Sequence, residues 1–80
     1  MTQTMSELLD EMIALQEKKL LECGQNFVPN LTSEDVLQPI DYPELENNPH
    51  FRYEEGTLAG LLSIRSALLA AGDTIHPPLL

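Results

Sequence analysis

Few side chains in this chain have both a type and a spacing suited to chemistry. His50 and Glu54 stand four residues apart, and Glu46 lies four before His50; each interval is about one helical turn. Imidazole and carboxylate groups at such intervals hold divalent metals where a helical bundle duplicates them. Helical metal sites more often show Glu-x-x-His or His-x-x-x-His spacing turned into a core. His50 and Glu54 fall at a helix start, where solvated polar residues are the plainer expectation, so no metal is assigned to them. Cys23 is the single cysteine. Neither histidine has a spacing that marks it as an activating base, so Cys23 is expected to act as a small core residue.

Glycine-rich phosphate loops and a Ser-His-Asp complement are absent from the chain. Leu58-Ala59-Gly60-Leu61-Leu62 fits the LxxLL pattern of some helix-in-groove ligands, but leucines at helical spacing are more often core. Asn30-Leu31-Thr32 matches the glycosylation sequon, a tripeptide common by chance. Arg65 is the one charged residue between Glu55 and Asp73. A phosphate or carboxylate ligand there would need a second base nearby, which the sequence does not supply. Arg65 is expected to snorkel to solvent, or to pair with Glu54, Asp41 or a glutamate of another chain. The expectation is a protein that is not an enzyme and carries no cofactor.

Length and charge narrow the class further. Eighty residues make one small helical domain, in a size range where a single core leaves only a few kcal/mol of net stability. Such chains usually recruit disulfides, a metal or a partner chain; one cysteine excludes an internal disulfide and fits a reducing, cytoplasmic setting. Met1 to Glu7 lack the basic start and apolar stretch of a secretory signal, and no segment offers the roughly 20 apolar residues of a membrane span. Thirteen acidic against four basic residues give a net charge of −9. That balance disfavours nucleic acid, keeps the chain soluble and attracts basic partners.

The elements follow from periodicity and caps. A first helix is expected over residues 5–23, opened by a Thr4/Glu7 capping box and closed by Gly24. Leu8, Leu9, Met12, Ile13, Leu15, Leu20 and Cys23 share its core face with Met5. Residues 24–48 are expected to be an irregular acidic connection with a short turn near 33–38, capped by Thr32 and stapled by Leu31 and Val36. A second brief turn is expected from Asp41-Tyr42-Pro43 through Leu45. A connection this long needs a reason. Phe27, Val28, Leu31, Val36, Leu37, Ile40, Tyr42 and Leu45 supply one by capping the core, while Glu34, Asp35, Asp41, Glu44 and Glu46 face outwards as a partner surface. Asn48 and Pro49 open a second helix over 49–71, which Gly72 closes. The tail, 73–80, is expected to be extended.

The second helix is the most informative. One side carries Phe51, Leu58, Leu61, Leu62, Leu68 and Leu69, with Ile64 at its margin; the other carries Gly56, Ala59, Gly60, Ser63, Ala67 and Ala70. A helix apolar all round is a covered helix. Two interior glycines cost about 1 kcal/mol each unless they let another backbone approach. One hairpin has no third layer. The expected architecture is therefore an all-α antiparallel helical hairpin that completes a four-helix bundle as a homodimer, with the small residues at the interface. The expected role is an acidic interaction protein (adaptor, accessory subunit or regulator) that self-associates and binds another, basic, protein. Two alternatives share these features: an obligate small subunit of a larger complex, and a metal- or small-ligand-binding bundle using His50, Glu54 and Arg65.

Overall fold

The computed structural model describes residues 2–37 and 41–72. Two long helices, α1 (Met5–Gln25) and α3 (Pro49–Ala70), pack against each other; a 3-10 turn (Asp35–Leu37) and a short helix α2 (Pro43–Glu46) lie between them. No strand occurs among the described residues. Leu9 and Ile13 of α1 cluster with Leu68 of α3, and Leu20 clusters with Phe51, so the helices run antiparallel.

The caps form where the sequence places them. Thr4 Oγ1 accepts from the Glu7 N–H at 3.0 Å and Glu7 Oε1 accepts from the Thr4 N–H at 2.9 Å. Asn48 Oδ1 accepts from the Phe51 N–H at 3.0 Å, with Pro49 as first helical residue. These contacts satisfy backbone donors that a first helical turn leaves free. Gly72 takes φ 77° just beyond α3, the left-handed conformation that favours glycine.

Gly24 does something other than stop α1. The helix runs through it to Gln25, and Asn26 follows in right-handed geometry. A Cβ at Gly24 would run into Leu31 Cδ2 and lie 3.2 Å from Phe51 Cε1. The glycine is thus there for close approach, letting the returning connection and the start of α3 press against the helix backbone. The chain turns just afterwards, with the Phe27 and Val28 N–H groups donating to the Gly24 carbonyl at 3.0 and 2.8 Å.

The connection caps this end of the hairpin. Thr32 and Asp35 exchange hydrogen bonds: the Asp35 N–H donates to Thr32 Oγ1 at 3.2 Å, and the Thr32 N–H donates to Asp35 Oδ2 at 3.0 Å. That pair starts the 3-10 turn, which follows directly on the turn at Ser33 and Glu34; the expected turn over 33–38 thus forms through Leu37, and residue 38 lies outside the described residues. Leu31 and Leu45 are buried with Leu20 and Phe51, and Val28, Val36 and Tyr42 pack around them. Phe27 and Leu37 remain exposed, so they do not share in the cap; Ile40 and the tail 73–80 lie outside the described residues.

The core face of α1 is narrower than the sequence pattern implies. Leu9, Ile13, Gln16 and Leu20 are buried, whereas Met5, Leu8, Met12 and Leu15 are 56%, 48%, 45% and 59% exposed. One facing helix covers only one strip of its neighbour, and the broad apolar arc of α1 exceeds that strip. The same limit acts on α3: Phe51 and Leu68 are buried, Leu58 and Leu61 pack against the clusters, and Ile64 and Leu69 stay exposed.

Candidate functional site

The chemistry-bearing residues disperse. Glu54 turns inward: Gln16 Nε2 donates to its Oε1 at 2.7 Å and to its backbone carbonyl at 3.0 Å. Gln16 is 6% exposed, and this bond satisfies an amide that burial would otherwise penalise. The 9-13-16-20 spacing aligns Gln16 with buried apolar residues, but the broad apolar arc of α1 does not by itself separate that strip from Met5, Leu8, Met12 and Leu15. His50 is exposed at the start of α3. Among the described residues no group of three or more His, Cys, Asp or Glu stands close enough to hold a metal ion.

Arg65 pairs with Asp10 of α1, Nε to Oδ1 at 3.3 Å, rather than with Glu54 or Asp41. Antiparallel packing brings the end of α3 beside the start of α1, a juxtaposition that spacing within one helix does not reveal. Both side chains are half exposed or more, so the pair tethers the hairpin weakly. Cys23 is partly buried beside the closed-end cluster. Burial, and then the nearby Glu54 carboxylate, push its thiol pKa up, which opposes thiolate formation.

The acidic residues of the connection do not form one uniform surface. Glu34, Asp41, Glu44 and Glu46 are exposed. Asp35 is held below the ordinary carboxylate range by the Thr32 N–H and hydroxyl, with a further hydrogen bond from Tyr42. Burial first, and then the Asp35 charge, raise the Tyr42 phenol. Asp35 therefore organises the connection as well as carrying charge. Beside it an open groove of about 490 Å³ has an apolar floor of Leu20, Leu21, Val36 and Leu58. It continues toward Leu62 along the same flank.

The small face of α3 is open. Gly56, Ala59, Gly60, Ser63, Ala67 and Ala70 are exposed, and a Cβ built on Gly56 or Gly60 meets nothing within 4 Å. The described part of the connection lies elsewhere and does not cover this side. At about 100° per residue, the small face points away from Leu58, Leu61 and Leu68, which pack in the hairpin. Leu58 and Leu61 of the LxxLL pattern are spent on those contacts.

A second uncovered surface was not singled out by the sequence pattern. Met5, Leu8, Met12 and Leu15 repeat at alternating intervals of three and four, forming a seam along α1 about a quarter-turn from its buried strip. Ile64, 53% exposed, rotates to the same flank of the hairpin. Leu62 turns to the opposite flank, where it lines the groove with Val36 and Leu37. No helix of the described residues is long and apolar enough to cross a membrane. Comparison with protein-family models, with curated proteins and with solved structures gave no match for this chain.

Proposed function

We propose that this chain is a non-enzymatic helical interaction protein, an acidic hairpin that self-associates and binds another, basic, protein. The observation that carries this is the amount of apolar surface the hairpin leaves uncovered: the α1 seam of Met5, Leu8, Met12 and Leu15, and the open small face of α3. Exposed side chains scattered singly need no explanation, but aligned ones mark a contact surface. The small face, through Gly56, Gly60, Ser63 and Ala67, is suited to a closely approaching helix. Glu34, Asp41, Glu44 and Glu46 provide the acidic rim toward a basic partner.

Light scattering on the purified chain at low and high salt tests the proposal. The chain carries a net charge of −9, so like copies repel through water. Salt screens that repulsion beyond about 10 Å at 0.1 M and leaves apolar burial intact. The expected result is a dimer that tightens as salt rises; a well-folded monomer at both salt concentrations refutes self-association. The same measurement separates the obligate-subunit alternative, which predicts a chain that is molten or aggregates when isolated.

A further inference from the structure

We infer that the second copy of this chain sits on the flank formed by Met5, Leu8, Met12, Leu15 and Ile64, leaving the small face of α3 free for a different partner. This rests on the proposed self-association and assigns it a surface. The first argument is geometric. In a square four-helix bundle each helix contacts two neighbours about a quarter-turn apart. On α1 the buried strip of Leu9, Ile13, Gln16 and Leu20 faces α3, and the exposed seam lies a quarter-turn away, where a second neighbour belongs. The small face of α3 lies about opposite its own packing side. Pairing through it would lay four helices in a row and leave the α1 seam in water.

The second argument is charge. Over its first twelve residues α1 carries Glu7, Asp10 and Glu11 and no base, and Asp10 is already paired with Arg65. Lys18 and Lys19 come later, with Lys19 in line with the seam after Leu15. An antiparallel two-fold pairing that sets Met12 against the partner's Leu15 brings Lys19 over the partner's Leu8, within reach of Glu7 and Glu11. The symmetry makes that contact twice. Opposite charges thus meet at the rim although each copy is acidic overall, and the apolar residues meet at the centre.

Sedimentation equilibrium of the full chain and its variants tests the assignment, with circular dichroism to confirm that each remains helical. The double variant Leu8→Glu/Met12→Glu places charges on residues already exposed in the hairpin, so the fold is expected to persist while dimer affinity falls at least about 100-fold. Gly60→Leu is expected to leave the dimer intact. Lys19→Glu is expected to weaken it about 3- to 10-fold more than Arg52→Glu, which has the same net charge but lies among the small residues of α3, away from the flank. Adding Glu11→Lys to Lys19→Glu is expected to restore affinity. A dimer that survives Leu8→Glu/Met12→Glu and is lost with Gly60→Leu overturns the assignment while preserving self-association. A wild-type monomer overturns both, and equal effects of Arg52→Glu and Lys19→Glu overturn the antiparallel register.

Discussion

The two ends of this hairpin are built differently. At the closed end Leu20, Leu31, Leu45 and Phe51 come from four segments and bury one another, with Gly24 allowing the approach. At the open end the core among the described residues is Leu9, Ile13 and Leu68, from two helices, and the residues beside them are about half exposed. Among the described residues, the long connection supplies a third layer to the first cluster and none to the second. Two packed helices cover one strip of each other, so further cover comes either from the same chain or from another. The closed end uses the first solution, and the second is the one proposed for the open end.

Substitutions sharpen that comparison when followed by urea unfolding at one fixed chain concentration, because association shifts apparent stability. Phe51→Ala should have the largest effect, a loss of about 3–5 kcal/mol, since its ring is fully buried and its neighbours are fixed on all sides. Leu68→Ala should cost less, about 2 kcal/mol, because the open end has fewer surrounding groups to leave stranded around a cavity. If the two cost the same, the ends are equally well packed and the contrast fails.

The helical glycines test the contrast with one substitution of opposite sign. Gly24→Ala should destabilise by about 1 kcal/mol, the overpacking against Leu31 and Phe51 outweighing the gain in helix propensity. Gly60→Ala should stabilise the hairpin by up to about 1 kcal/mol, because its Cβ enters open space. A loss at Gly60 would show that something already occupies the small face. The smallest effect concerns Asp35, whose folded-state pKa is lowered by Thr32. Its stabilisation is present above the unfolded carboxylate pKa of about 3.9 and is lost as pH falls through the lower folded value. Asp35→Asn should therefore reduce thermal stability slightly at pH 6 and converge with the wild type near pH 2. A constant difference across that range would assign the effect to the Thr32 hydrogen bonds rather than to the charge.

Much of the local structure was legible in the residues. Thr4 with Glu7, Asn48 with Pro49, and Gly72 announce helix ends because each satisfies or relaxes a backbone requirement within a few residues. Thr32 similarly marks a turn, through Asp35 three positions on. The candidate surfaces were half legible. The small face of α3 is evident from composition alone, whereas the α1 seam merges with the core in a single apolar arc. Which part of that arc is buried depends on the width of the opposing helix, a quantity α1 does not contain.

The sequence by itself determined two amphipathic or apolar helices, their caps, an acidic balance of −9 and a hairpin too small to cover its own apolar surface. These properties are local, or they sum residue by residue. Only the tertiary structure decided that Gly24 serves close packing, that Gln16 is buried against Glu54, that Arg65 meets Asp10 and that Met5, Leu8, Met12 and Leu15 face outward. Each of these depends on which residue of a distant segment arrives at the same place. That is set by the antiparallel register of α1 on α3 and by the path of the connection, which local periodicity leaves open.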